Sequence, residues 1–153
     1  MYEHIYEHFF GPLRDNITSK QKQDIVNNAI REIVMGYHVY QGDTDFYIAK
    51  EDWDKLSDYI RKEHGLLESD DVVEWVCYDY MWNMCIDKDG NVVDIKHESE
   101  KLGYQDDYFF NMIAPYVKDG SFINMQGEDG DLWRYSFRDG KFKIVYPEIV
   151  WPE

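Results

Sequence analysis

The sequence predicts an α+β fold, with two to three helices packed on antiparallel β hairpins and a C-terminal three-stranded meander. Three observations predict it. Apolar residues recur at helical spacing in two segments before residue 65. Asp-Gly pairs recur every ten residues, at 119–120, 129–130 and 139–140, which is the rhythm of strands joined by two-residue turns. Between those pairs, apolar and polar side chains alternate. The expected organisation is a single domain over 1–153: helical over 1–68, mixed over 69–117, and the meander over 118–153.

The first clear helix starts at Thr18. Thr18-Ser19-Lys20-Gln21 fits a capping box, and Ile25, Val26, Ala29, Ile30, Ile33 and Val34 follow at helical spacing up to a stop at Gly36. Gln41-Gly42-Asp43-Thr44-Asp45 reads as a loop. A second helix is expected over Lys50–His64. Trp53, Leu56, Tyr59 and Ile60 form its apolar stripe, acids lie in its first turn, bases in its last, and Gly65 ends it.

Residues 69–86 are ambiguous. Ser69, Asp70 and Asp71 are all helix caps by type, yet Trp75 to Ile86 is rich in aromatics and Val, which favours a strand. The expectation is a short helical turn passing into a strand near Tyr78. Asp89-Gly90 then turns a hairpin and Asn91–His97 returns. A third helix is expected over Asp106–Tyr116, with Pro115 near its end. In the meander Ile123, Met125, Trp133, Tyr135 and Phe137 fall on the core side. Arg134, Ser136 and Arg138 fall on the wet side, and the third helix packs on the core side. Tyr146 to Pro152 runs on as an extended tail.

Charge narrows the function. The 153 residues carry 31 acidic and 16 basic side chains, a formal net charge of −15. Residues 43–107 hold 19 acidic and 7 basic side chains, net −12, whereas 118–153 are net −2. Such a chain is repelled by a phosphate backbone, so no direct nucleic-acid partner is expected. A folded chain of this mass exposes about 8,200 Å², or one net charge per ~550 Å², against one per ~110 Å² for duplex DNA. Imitation of DNA would therefore need the carboxylates clustered on one face. Helix two supplies part of such a face, with Glu51, Asp54 and Asp58 at i, i+3 and i+7.

Most site motifs fail. His4 and His8 share a helical face, but Ile5 stands where a metalloprotease places its Glu, and no third ligand is evident. Asp87 to Asn91 imitates part of a calcium loop, but Cys85 and Lys96 occupy positions that need carboxylates. There is no phosphate loop, nucleophile elbow or Cys-x-x-Cys, so nothing points positively to an enzyme, a metal or a cofactor. Cys77 and Cys85 are too far apart for a disulfide on either a helix or a strand. Free thiols, an N-terminus unlike a signal peptide and the lack of a ~20-residue apolar run lead to the expectation of a cytoplasmic protein with no membrane contact. Clustered aromatics (Trp75, Tyr78, Tyr80 and Trp82; Trp133, Tyr135 and Tyr146) read first as core, and second as an interface.

The stretch from Asp119-Gly-Ser-Phe-Ile-Asn-Met-Gln-Gly-Glu-Asp-Gly-Asp-Leu-Trp-Arg-Tyr-Ser-Phe to Trp151 resembles small uncharacterised proteins of bacterial mobile elements. It covers about a quarter of the chain and implies no active site.

The leading functional expectation is an acidic cytoplasmic interaction module for a basic protein partner. Its role would be that of an inhibitor occupying the nucleic-acid groove of a nuclease or defence-system component. The candidate contact residues are Glu51, Asp52, Asp54, Asp58, Asp70, Asp71 and Glu74. One alternative is a small-molecule or metal-dependent enzyme with a cleft between helices and sheet that holds His4, His8 or His38 beside carboxylates. Another is an accessory structural domain without activity, whose acids would be scattered.

Overall fold

The computed structural model describes residues 18–26, 36–103 and 105–153. The capping box forms. The Gln21 backbone N–H donates to Thr18 Oγ1 (3.1 Å) and the Thr18 N–H to Gln21 Oε1 (2.8 Å), opening helix α1, described over 19–26. The rest of the predicted first helix, residues 27–35, and His4 and His8 lie outside the described residues.

The predicted loop at 41–45 is instead part of a strand, β1 (Val39–Asp45). It pairs antiparallel with β4 (Phe122–Gly127), in a register running from Val39 opposite Gly127 to Asp45 opposite Phe122. The register breaks between Gln41 and Thr44, so Gly42 and Asp43, whose residue types signalled a turn, are absorbed as an irregularity in a sheet-edge strand. Gln41 turns this break to use. Its amide donates to Thr44 Oγ1 and to the Ile95 carbonyl (both 2.8 Å), and its Oε1 accepts from the His97 N–H (2.8 Å).

Helix α2 spans Lys50–His64, the expected bounds, and Gly65 closes it at φ 65°. Trp53, Leu56 and Ile60 are buried as expected, but Tyr59 is largely exposed and Ser57 takes a buried place. Ala49 precedes the helix and has no capping side chain. The cap comes from far along the chain, where Asn91 Oδ1 accepts from the Lys50 N–H at 2.9 Å. Ile48 and Val92 exchange two backbone hydrogen bonds beside it, both 2.9 Å.

Residues 69–86 divide differently from the sequence reading. Helix α3 runs Val72–Tyr80, and strand β2 begins only at Trp82 and ends at Ile86. Trp75, Tyr78 and Tyr80 are all helical, so the passage from helix to strand comes after Tyr80 rather than near Tyr78. Asp71 Oδ1 accepts from the Val73 N–H (2.9 Å) and, more weakly, the Glu74 N–H (3.4 Å). That cap, together with burial of Val72, Val76 and Tyr80 on one helical face, outweighs the β preference of Val and aromatic residues. Met81 ends the helix in the left-handed region (φ 62°), which turns the chain sharply into β2. β2 then pairs with β3 (Val92–His97) across the expected turn, where Gly90 sits at φ 89°.

Helix α4 covers Asp106–Ile113 and tightens into a 3₁₀ turn at Ala114–Tyr116, where Pro115 sits, so the predicted third helix is present in two forms. The meander is present as β4, β5 (Leu132–Arg138) and β6 (Lys141–Val145). With β1 it makes a four-stranded sheet in the order β1-β4-β5-β6, while β2 and β3 form a separate two-stranded sheet.

The core lies between α4 and the inner face of the larger sheet, and continues to β2. The Phe110 ring meets those of Tyr135 (4.7 Å), Trp82 (5.1 Å), Phe142 (5.4 Å) and Phe137 (5.6 Å). Among the described residues one charged side chain sits inside it. Asp106, 1% exposed, accepts from Trp82 Nε1 (2.9 Å) and from Tyr135 Oη (3.0 Å). The His97 ring lies tilted against Trp82, with centroids 4.5 Å apart, and its Nε2 is buried with no hydrogen-bond partner among the described residues.

Two predictions follow from this core. Asp106→Ala leaves two buried donors without an acceptor and should cost roughly 2–5 kcal/mol in urea unfolding, with Asp106→Asn costing less because one oxygen remains. Burial holds His97 well below its ordinary value of 6.5, at about 4, with Glu98 opposing. The unfolded chain therefore takes up the proton first. Stability is full above pH 6.5 and falls as pH drops through the window from 6.5 towards 4, by up to about 3 kcal/mol. Unfolding titrations between pH 7 and 5 should show this slope in the wild-type chain and a flatter one in His97→Gln.

Candidate acidic groove

The acids singled out in the sequence lie on α2, on the turn before α3 and in the first turn of α3. Three of the seven, Asp54, Asp58 and Asp71, meet around one open groove of about 640 Å³ between these helices. Trp53, Val72, Val73 and Ile86 give it apolar walls, and Ser57 and Arg61 complete the lining. Helical spacing explains the meeting: Asp54, Ser57, Asp58 and Arg61 recur at i, i+3, i+4 and i+7 on one side of α2. The α2–α3 connection then brings the Asp71 cap alongside.

Each carboxylate has its own setting. Asp54 pairs with Lys50 at 2.6 Å on an exposed surface, and this pair pushes the Lys50 ammonium up from its ordinary value. Asp58 is exposed and Asp71 caps α3. Asp70 is half-buried and does structural work: its Oδ2 accepts from the Leu67 N–H (2.6 Å), and its carbonyl accepts from Arg61 Nη2 (2.9 Å). Glu51 and Asp52 occupy the first turn of α2 and Glu74 that of α3, outside the groove lining. The candidate set thus divides into three groove residues, one loop-bracing residue and three flanking ones.

Two polar atoms stand out. Ser57 is 7% exposed, its Oγ is buried, and among the described residues no hydrogen bond reaches it. Arg61 Nε is likewise buried and unpartnered. Sequence reading missed both. Ser57 breaks the apolar stripe of α2 at a position one turn before Arg61, and that interruption was the available signal.

His38 is half-buried at the far end of the chain's larger sheet, in a bridge with Lys101. Among the described residues no group of three His, Cys, Asp or Glu side chains is placed to hold a metal, and no helix is long and apolar enough to cross a membrane. Cys77 and Cys85 are free thiols, each pushed up from its ordinary value chiefly by burial, which disfavours the reactive thiolate. No family model, curated protein or solved structure matches the chain.

Because Asp71 serves both the groove and a helix terminus, its variants separate the two roles. Asp71→Ala should lower unfolding stability by about 1 kcal/mol through loss of the cap, whereas Asp71→Asn, which still accepts the Val73 N–H, should hold most of it.

Proposed function

We propose that this protein is an acidic interaction module that takes a basic segment of a protein partner into the groove between α2 and α3. The observation that carries the reading is the convergence of Asp54, Asp58 and Asp71 on a single open groove. The chemistry of such a segment matches the lining. An arginine or lysine side chain would lie among the carboxylates and donate to them. The apolar walls would take the aliphatic stem of the cation.

The partner class that best suits this chemistry is an enzyme that binds nucleic acid through a basic cleft, such as a nuclease or a component of a defence system. The protein would act as an inhibitor by occupying that cleft. The net charge of −12 over residues 43–107 would steer encounter with a basic surface and would leave phosphate backbones excluded. The imitation of DNA would be local, in the clustered carboxylates, since the chain-wide charge density is too low for more. Two free thiols suit a reducing cytoplasm, where such enzymes work.

The test uses basic DNA- and RNA-cleaving nucleases, read by binding and by residual cleavage. Glu51→Gln, Asp54→Asn, Asp58→Asn and Glu74→Gln combined leave Asp70 and Asp71 to their structural tasks. The wild-type chain should bind and inhibit in a manner weakened by salt, and the combined variant should bind on the order of tenfold or more weakly, mainly through slower association. Binding that the four substitutions leave unchanged, or no binding to any basic nuclease, overturns the proposal.

A further inference from the structure

The meander half carries a second surface that the acidic groove does not use. After β6 the chain runs on without regular structure, and Ile149, Val150 and Trp151 stand 81%, 79% and 83% exposed. At the root of this tail lies a cleft of about 380 Å³. It lies across Leu132, Trp133 and Arg134 of the central strand β5, with Asn124 and Met125 of β4 on one side and Val145, Tyr146 and Pro147 on the other. Leu132, Val145 and Tyr146 are themselves 50%, 38% and 64% exposed. Soluble monomers seldom leave so many large apolar side chains contiguous and uncovered.

We infer that the tail of one copy of this chain seats in the cleft of a second copy, and the reverse, closing a two-fold dimer. Three features favour a second copy as the occupant. The first is geometry. The tail leaves the fold at the lip of the cleft it would fill in the partner, because Tyr146 and Pro147 belong to both, so a reciprocal exchange brings like patches together, as a two-fold interface requires. The second is charge. Tail residues Glu148 and Glu153 would face a sheet surface carrying Arg134, Arg138, Lys141 and Lys143. The register places all four of these cations on the same face: Arg134 lies opposite Val145, Ser136 opposite Lys143 and Arg138 opposite Lys141. Residues 118–153 are net −2, so joining two meanders avoids pressing together the segments that hold most of the −15. The third is area. Burying the six exposed apolar side chains would remove roughly 700 Å² per chain, close to the ~800 Å² per partner of a standard interface.

The guanidinium of Arg134 is already oriented for this. Its Nε donates to Asn124 Oδ1 at 2.6 Å and its Cζ lies 4.2 Å from the Phe122 ring centroid, so little side-chain freedom is left to lose. Lys141 and Lys143 on the outer strand of the sheet oppose the competing arrangement, in which two β6 edges would pair.

Sedimentation equilibrium and light scattering over a wide range of concentration test the inference. The apparent mass should rise from 18.4 kDa towards twice that value. The double variant Ile149→Asp with Trp151→Asp should weaken association on the order of tenfold or more, as loss of a central aromatic anchor does. Arg134→Glu should weaken it too. The tail residues touch no core, so circular dichroism of the double variant should match the wild type. A chain that stays at 18.4 kDa up to near-millimolar concentration overturns the inference. So does a dimer whose strength the tail substitutions leave unchanged.

Discussion

The carboxylate of Asp106 is the constraint on which the rest of the architecture hangs. It lies in the first turn of α4 and receives one hydrogen bond from Trp82 on β2 and one from Tyr135 on β5. Those three elements belong to a helix and to two different sheets, and the sheets share no strand. A buried carboxylate is costly to desolvate, and two directed donors offset that cost only in one relative placement of the three. The aromatic rings around Phe110 supply buried apolar area but little direction. Asp106 supplies direction. The chain before α4 is shaped to the same end, since a Cβ on Gly103 would stand 2.8 Å from Asp106 Oδ1, a closeness that real side chains do not tolerate.

What the sequence revealed divides along the distance over which the signals act. Helix α2 was legible to the residue, because its stripe, its charged ends and its Gly65 stop are all local. The meander was legible for the same reason, since each Asp-Gly pair fixes its own turn. β1 was not, because Gly42 and Asp43 signal a turn locally, while pairing with β4 and the Gln41 bonds to β3 come from residues more than fifty positions away. In 72–80 two local signals competed, and the choice rested on burial of Val72, Val76 and Tyr80 on one face, which only the packed molecule decides.

The candidate site shows the same division. Asp54 and Asp58 could be placed on one side of a helix by spacing alone, and Asp71 could be proposed as a cap from its position. That cap and stripe share a groove depends on how α3 folds back along α2, which no spacing encodes. Asp70 was chosen for its charge, yet its partners, the Leu67 N–H and Arg61, make it a brace of the connecting turn. Asp71 faces no such choice, because a helix cap exposes its carboxylate while using only part of its accepting capacity. A helix terminus is thus an inexpensive place to present a charge.

The trans cap on α2 has a consequence for how this acidic surface can be used. The first turn of the helix is completed by Asn91, and the residues just before it are clasped by Val92, both from the β2–β3 hairpin. A peptide excised as residues 50–64 would lack that clasp, the Asp71 wall and the apolar partners of Trp53, Leu56 and Ile60. A helix of that length is marginal in water without tertiary support. The surface is therefore a conformational epitope. An antibody or partner raised against the linear segment would see a different object, and a binder that discriminates the two would report on folding of the whole chain.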